Sequence, residues 1–593
     1  MSRYYNTCAG AVSRLCQCRI KSYAHQAAKA CGPQTARYAA PLIFLVFCVS
    51  LAPWLYDFPL NDDWAYAIGV KNLLEQGRFV LCDWAASTQL PHILGGALFA
   101  KIFGFSFTAL KACNLAFSAA LVFVFFKILE EFDIDPADRL LAALAFCLNP
   151  LFLVLANSFM TDITYLFWML LASWFYIRHL KAGNPAALIS AGLCAAAACL
   201  TRQLGIALPL AYTLTLAWER KLNLKNTLNI WLFPLIALLG YALWFKYVHG
   251  PTWASGNYVF TATLKYLSAP GAFASTTLYR IFAAMMETGL ILLPLAAGYY
   301  LSAGRLQFNA RPDAVLKTYG RQKAKTAERR RAAKSWGILL TLAALACFIL
   351  INGPLPYLEN TFSKSGLGVL TLGGSRFKPS AFFSSGLFWY ALTALAAFSA
   401  AILLRASNLS LRAGDAAVKF VFANALIHLG ISLAGAKFFD RYLLTLLPWF
   451  ILAAACTARS VKFSRPAAVL VLVLMAAVGW AGVKDYLQWN RAKWELASRP
   501  RPDIRPDKIA NGFDYDAWHN YEKNMTYLKT MKPLKMIGEW EWQKITDYKA
   551  LVSFSPQPGF TAIDRIEYST PLSSRKGVLY LLSLQKAQPR LPL

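Results

Sequence analysis

Charge is scarce in this chain. Only 15% of its 593 residues are Asp, Glu, Lys or Arg, against about 25% in a typical soluble protein. Acid is scarcer still, with 30 carboxylates against 60 Lys and Arg. Cysteine ends at Cys456. Cys8, Cys16, Cys18 and Cys31 precede the first apolar run, Cys82 falls between runs, and Cys16-Gln17-Cys18 lacks the spacing of a zinc pair. These shortages exclude a soluble globular protein, a disordered tail and a disulfide scaffold; a cysteine inside an apolar run behaves as a small hydrophobe. The formal charge of +30 comes with no recognition motif, so no nucleic-acid partner is expected. The lack of an internal repeat counts against an inverted-repeat transporter.

What is abundant is apolar. Hydrophobic residues make up 57% of the chain and mean hydropathy is +0.41. A membrane helix needs about 20 apolar residues, and thirteen runs read as spans: 38–56, 107–127, 140–157, 161–179, 186–200, 203–217, 228–248, 276–301, 336–352, 384–404, 417–436, 442–458 and 466–484. Thr201-Arg202-Gln203 separates the fifth from the sixth. The other reading of that break, a kink in one long helix, inverts everything downstream. With thirteen spans, the segments on the N-terminal side of the membrane hold 29 Lys and Arg and the opposite segments 13, which places the N-terminus in the cytoplasm. The run from Arg321 to Lys334 is a basic cytoplasmic loop touching anionic headgroups.

The expected fold is an all-α polytopic membrane protein of about 13 transmembrane helices with outer-face interfacial helices, plus a small C-terminal soluble α/β domain. Residues 1–37 form a cytoplasmic tail, not a cleaved signal; 38–484 form the membrane module, with a first outer loop at 57–106; 485–593 form the outer domain. In that last part 17 basic and 12 acidic residues replace the apolar runs. Gly577 to Leu584 reads as a strand, Trp540, Trp542 and Tyr548 as a small core, and Pro500 to Pro506 as a linker.

Carboxylates are costly near a bilayer, so their placement is informative. The densest outer group follows the first span, at Asp57-Phe58-Pro59-Leu60-Asn61-Asp62-Asp63-Trp64-Ala65-Tyr66. Asn61 or Asp62 suits a helix cap, and Asp63 its dipole. An amphipathic helix at 63–77 and an interfacial apolar helix at 90–105 follow, and outer loops this long are usually functional. Three more charged stretches meet the same face: Asn157-Ser158-Phe159-Met160-Thr161-Asp162, Thr201-Arg202-Gln203-Leu204-Gly205 and Lys437-Phe438-Phe439-Asp440-Arg441-Tyr442. Alone, Asp162 is a helix cap, and Arg441 pairs with Asp440 or snorkels. Together, acids and arginines at the ends of several helices suit a lipid-linked anion entering from the bilayer and a polar acceptor from outside.

These stretches resemble the GT-C glycosyltransferases, in the branch of protein O-mannosyltransferases, the lipid A aminoarabinose transferase and the lipopolysaccharide sugar transferases of rhizobia. The resemblance is carried by Asn61-Asp62-Asp63-Trp64-Ala65-Tyr66, Gly77, Lys101-Ile102-Phe103-Gly104, Phe159-Met160-Thr161-Asp162, Leu200 to Gly205 and Asp440-Arg441-Tyr442-Leu443-Leu444. It covers 38–250 well and the rest by topology. It implies a polyprenyl-phosphate sugar donor, a glycan, lipid or protein acceptor, and a bacterial inner membrane with the C-terminal domain periplasmic. Asp62 matches the catalytic aspartate and Asp63 the acid that often follows it. Asp162 would position the acceptor or the base, and Arg202 and Arg441 would bind the donor phosphate. Where the aminoarabinose enzyme has Glu-Lys-Pro, this chain has Gln89-Leu90-Pro91, and His249 has no acidic partner in sequence, so no required metal and no other required cofactor is expected. Two other readings remain: a lipid or sugar transporter or flippase, and a membrane scaffold whose outer tail binds a partner.

Overall fold

The computed structural model describes residues 36–257, 262–303, 342–343, 346–351, 353–354, 357–372, 385–407, 415–458, 463–572 and 576–584. Most of the tail expected in the cytoplasm, its four cysteines, the basic run at 321–334, most of the span expected at 336–352 and the last nine residues lie outside the described residues.

The first half of the chain forms helices α1 Ala36–Val49, α2 Asp63–Gln76, α3 Leu90–Phe103, α4 Phe107–Glu130, α5 Pro136–Cys147, α6 Pro150–Ala156, α7 Thr161–Ala182, α8 Pro185–Thr201, α9 Ala207–Trp218 and α10 Leu224–Trp244. Their ends follow local chemistry. Asp135, Asn149 and Asn184 each accept a hydrogen bond from a backbone N–H of the first turn they precede, and a proline stands directly after each cap. Gly77 and Gly183 end α2 and α7 with φ of +65° and +66°, a conformation that costs a residue with a Cβ more.

The second half holds α11 Ala262–Leu267, α12 Pro270–Ile291, α13 Leu293–Ala303, α14 Gly386–Ser407, α15 Ala416–Ala434, α16 Leu447–Thr457, α17 Arg465–Ser498, α18 Phe513–Met531 and α19 Glu541–Lys544. Among the described residues, six helices are long and apolar enough to cross a membrane, or eight if two bent pairs each count as one span. The count of thirteen is not confirmed among these residues. The run at 140–157 is broken at Asn149-Pro150, where α5 and α6 meet at 63°, and the run at 276–301 is bent by 68° between α12 and α13. The runs at 186–200 and 203–217 are helices too short for that class.

The break at Thr201-Arg202-Gln203 is a turn. A Cβ on Gly205 would stand 2.4 Å from the Cys199 backbone nitrogen. Residues six apart in a continuous helix lie about 9 Å apart along the axis, so the chain has folded back over the end of α8.

Two expectations for the first outer loop divide. Helix α3 carries an exposed apolar stripe, Leu94, Leu98 and Ile102 at i, i+4, i+8, away from buried Ile93, Ala97 and Ala100. Helix α2 is not amphipathic by face. Residues 63–70 are buried all round, and the turns after Val70 are open. The reason is tertiary: α18 and its flank lie over the first two turns, with Trp64 against Phe513 and Tyr521 at 5.8 and 4.8 Å between ring centroids.

The last span does not stop at 484. Helix α17 runs on to Ser498 and carries the C-terminal segment, where β3 Ile509–Ala510, β4 Ala550–Ser553, β5 Phe560–Ser569 and β6 Lys576–Leu584 form a sheet in the order β3-β4-β6-β5. The strand expected at 577–584 is β6. A two-residue hairpin, β1 Phe362–Ser363 with β2 Gly366–Leu367, lies earlier in the chain. In the four-stranded sheet β3 and β4 pair in parallel and the other neighbours antiparallel; Val552 faces Leu581, and β5 carries a bulge between Ala562 and Asp564. Asp564 accepts from Arg499 at 3.0 Å and from Arg501 at 2.8 Å, so the Pro-rich stretch is pinned to the sheet. Trp542 is buried as core, whereas Trp540 is 46% exposed and faces a cavity instead. No disulfide forms among the described cysteines.

A fully buried ion pair fixes the junction. Lys493 on α17 donates to Asp514 at 2.5 Å and to Thr371 Oγ1 at 2.9 Å, and Trp494 Nε1 donates to the other Asp514 oxygen at 3.2 Å. Removing one partner strands the other charge without water. Asp514→Ala is therefore expected to cost about 3–5 kcal/mol, read as a lowered thermal unfolding midpoint of the detergent-solubilised protein. A midpoint at the wild-type value would show that the junction is held elsewhere.

Candidate active site

A cavity of about 1140 Å³ opens between the helical bundle and the C-terminal segment. Asp62, Tyr66, Trp84, Arg202, Arg441 and Tyr442 line its bundle side. These residues come from the start of α2, the loop after it, the turn after α8 and the short 3-10 turn at Asp440–Thr445.

Asp62 occupies the cap position of α2, but its side chain makes no capping bond. Asn61 holds a positive φ of +51°. The carboxylate turns to the cavity, where Oδ1 accepts from Trp84 Nε1 at 3.0 Å and Oδ2 lies 3.8 Å from Arg441 Nη1. Burial pushes Asp62 above the ordinary carboxylate range, while Arg441 and the Trp84 N–H pull it back.

Asp63 points the other way. It is fully buried, outside the cavity lining, and its Oδ2 accepts from the Leu60 N–H at 3.1 Å. Burial pushes it up to about 7 against the opposing field of Lys111. Lys111 in turn donates to the carbonyls of Tyr56 and Phe58 at 2.8 and 2.7 Å. Two adjacent acids thus have opposite settings, one in the cavity and one under it.

Asp162 is not a plain helix cap. Arg202 grips it at two points, Nη1 to Oδ1 at 2.9 Å and Nη2 to Oδ2 at 3.1 Å, and its Nε donates to Thr161 Oγ1 at 3.0 Å. All three donor directions of Arg202 thus point at α7. Arg441 is different. It does not pair with Asp440, whose oxygens accept backbone N–H groups from Thr361, Phe362 and Arg441 itself at 2.5, 2.7 and 2.5 Å. The Arg441 guanidinium lies 5.3 Å from the Phe439 ring and 5.9 Å from that of Tyr442, and its buried Nε and Nη1 have no hydrogen-bond acceptor. Tyr442 stands 5.9 Å from Arg202 as well.

Several supporting residues carry no sequence signal. Trp84, 22 positions after Asp62, is one. His92 is another: Nδ1 meets Thr164 Oγ1 at 2.9 Å, Nε2 meets the Phe159 carbonyl at 3.0 Å, and burial pushes the ring down to about 3, so it is neutral. It ties α3 to the first turn of α7, where Asp162 sits. The Gln89 N–H donates to the Thr201 carbonyl at 3.1 Å and Thr88 Oγ1 to that of Cys199 at 2.8 Å, which fastens the loop between α2 and α3 to the end of α8. His249 accepts from the Leu81 N–H at 2.9 Å and bonds the Gly250 carbonyl at 2.7 Å, so both ring nitrogens are engaged in holding that loop. Among the described residues no group of three or more His, Cys, Asp or Glu is placed to hold a metal ion.

Residues 95–247 match the family model of dolichyl-phosphate-mannose-protein mannosyltransferases. This stretch is 153 of the 593 residues. It includes Asp162 and Arg202 but ends short of Arg441 and begins after Asp62 and Asp63. No curated protein matches the chain. Similar solved structures include ArnT from Cupriavidus metallidurans bound to undecaprenyl phosphate, at 14% identity over 93% of this chain and 99% of that one, with a TM-score of 0.36. The archaeal oligosaccharyltransferase AglB from Archaeoglobus fulgidus, in complex with an inhibitory peptide and a dolichol-phosphate, matches at 14% identity over 87% of this chain and 69% of its own, TM-score 0.37. The S. cerevisiae protein O-mannosyltransferase complex bound to its sugar donor matches at 12% identity over 39% and 36%, TM-score 0.30.

The two-point Arg202–Asp162 pair has a testable consequence. Asp162 is only 3% exposed at its side chain, so Arg202→Ala leaves a buried charge and is expected to cost about 3–5 kcal/mol of stability. Arg202→Lys replaces a planar two-point grip with a point charge, and both unfolding midpoint and turnover should fall, by less than for Ala. Full retention of both in Arg202→Lys would mean that the arginine merely anchors the turn.

Proposed function

We propose that the protein is a membrane glycosyltransferase. It moves a sugar from a polyprenyl monophosphate to an acceptor hydroxyl at the outer, periplasmic face of a bacterial inner membrane, with inversion at the anomeric carbon. The observation that carries this reading is the facing of Asp62 and Arg441 at 3.8 Å in one cavity, with the Arg202–Asp162 pair beside them. A base and an unsatisfied guanidinium are the two groups that displacement of a phosphate by a hydroxyl needs.

The acceptor O–H gives its proton to Asp62 Oδ2 as its oxygen attacks the anomeric carbon. The bond from that carbon to the phosphate oxygen breaks through an oxocarbenium-like state, and its electron pair leaves with the phosphate. A phosphate is stable as an anion, so no general acid is required. The buried Arg441 N–H groups without an acceptor stabilise the charge as it grows on the departing oxygen. Arg202 contributes field from behind its bond to Asp162, and Asp162 holds it in position. Asp63 supports the loop from below. Residues 485–593 form the outer domain that closes over the cavity.

The test is incubation of the purified protein with a radiolabelled sugar on undecaprenyl phosphate. Release of the label to an acceptor or to water supports the reading. In proteoliposomes, movement of intact donor across the bilayer without release would favour a flippase instead.

A further inference from the structure

Asp62 begins α2 without capping it, so no local bond fixes its carboxylate. Arg441 at 3.8 Å is too far for a hydrogen bond. The one hydrogen bond to that carboxylate among the described residues comes from Trp84 Nε1, at 3.0 Å on Oδ1. An indole N–H only donates. It pins Oδ1 as an acceptor and thereby sets the direction of Oδ2, the oxygen that takes the proton.

The ring of Trp84 is itself held from the C-terminal segment. It stacks on Trp253 at 5.3 Å with 4° between the planes, and Phe513, Tyr521 and Trp540 stand 5.5, 6.0 and 5.8 Å from it. The last three belong to residues 485–593, and Trp253 is tied there too, because its Nε1 donates to the Ile537 carbonyl at 2.8 Å. The loop carrying Trp84 has the same attachment. Asp83 pairs with Lys529 on α18, and its carbonyl accepts from the Ala254 N–H at 3.0 Å. Burial alone does not aim an indole here: among the described residues, Trp64 and Trp542 of the same cluster bury Nε1 atoms that have no acceptor.

We infer that Trp84 is a positioning residue through which the C-terminal segment sets the aim of the Asp62 carboxylate, so that the base is assembled only with that segment seated against the ring. This rests on the glycosyl-transfer reading, which makes Asp62 the base. The bond also favours the ionised carboxylate. Arg441, Arg202 and Asp162 act on Asp62 from three other elements, Tyr66 and Asp63 share its helix, and Tyr486 on α17 stands in its field. Lys437, Asp516 and Glu539 line the same cavity. All of these stay in Trp84→Phe, which keeps a ring in the cluster and removes the N–H. The pKa of Asp62 should then rise. Because the base works ionised, the acid limb of the rate profile should move to higher pH.

Two readouts on the purified full-length protein in detergent test this. With turnover, the probes are undecaprenyl phosphates carrying tritiated mannose, glucose, galactose, galacturonate or aminoarabinose. Trp84→Phe should lower kcat by about 10–10²-fold, the scale on which a misplaced reacting group costs rate, with donor KM within about twofold of wild type. In an Asp62→Asn background the same substitution should cost less than about twofold, because it acts through the residue already lost. Without turnover, the probe is dicyclohexylcarbodiimide, which couples to a protonated carboxyl; tandem mass spectrometry locates the label. Labelling of Asp62 falls as pH rises through its pKa, and its midpoint should lie at higher pH in Trp84→Phe than in wild type. Phe513→Leu and Trp540→Leu each take a ring of the C-terminal segment from Trp84 and should move the midpoint the same way by less. Trp540 is 46% exposed, so its variant keeps the test open if Phe513→Leu fails to fold. A labelling midpoint and an acid limb both unmoved in Trp84→Phe would overturn the positioning role. A midpoint that moves in Trp84→Phe but in neither of the other two would overturn the link to the C-terminal segment. A shifted labelling midpoint in a protein that releases no sugar from any of these donors would sink the transfer reading alone; sugar release with an unshifted midpoint would sink the positioning alone.

Discussion

Asp62→Asn is expected to lower transfer by about 10²–10⁴-fold, the contribution of one positioned general base, while expression and unfolding midpoint stay close to wild type. Asn keeps the shape of the side chain and can still accept from Trp84 Nε1, but it cannot take the acceptor proton. The neighbouring substitution separates chemistry from support. Asp63→Asn should reduce transfer far less and show mainly in stability, because Asp63 lies outside the cavity and bonds the Leu60 N–H. A dead Asp63→Asn beside an active Asp62→Asn would place the base one residue later. The pH profile gives a second readout. Asp62 works only when ionised, and burial raises its pKa, so the rate should climb with pH through a limb lying above the ordinary carboxylate range and then level off.

Arg441→Ala is expected to lower kcat by about 10²–10³-fold, the usual loss when one donor to a developing oxyanion is removed. Arg441→Lys should recover part of donor binding but less of the turnover, because a point charge cannot follow two phosphate oxygens. The substitution also carries a signature that a merely structural arginine would not produce. Arg441 is the chief charge holding Asp62 down, so the acid limb of the profile should move to higher pH in Arg441→Ala. An unmoved limb together with wild-type kcat would transfer the phosphate role to Arg202, whose guanidinium would then have to leave Asp162.

The contrast between the two arginines lies in their partners, and partners 40 positions apart, as Arg202 and Asp162 are, leave no trace in local sequence. The same holds for Trp84 and Asp62, and for the choice between Asp62 and Asp63. Consecutive residues at a helix start differ by about 100° in direction, and which of two acids meets a cavity depends on what packs over the helix. Here α18 and its flank cover the first two turns of α2, which also explains why a helix expected to be half-buried by face is buried by end.

What the amino-acid sequence determined by itself is the set of properties that depend on near neighbours or on bulk composition. Apolar runs of about 20 residues with little charge dictated a polytopic helical protein, since a helix satisfies its backbone inside a bilayer within its own segment. Asp135-Pro136, Asn149-Pro150 and Asn184-Pro185 set helix starts, Gly77 and Gly183 set helix ends, and the short apolar run from Gly577 to Leu584 set a strand. Paired acids at 62–63 and short polar turns at 157–162 and 200–205 marked where charge would gather. Only the tertiary structure decided which of those charges face one another, that Asp440 serves backbone N–H groups while Arg441 keeps buried donors unsatisfied, and that two bent pairs replace straight spans. The physical reason is range: caps, turns and hydropathy act over a few residues, whereas the ionisation and aim of a buried carboxylate are set by whatever distant chain comes to lie against it.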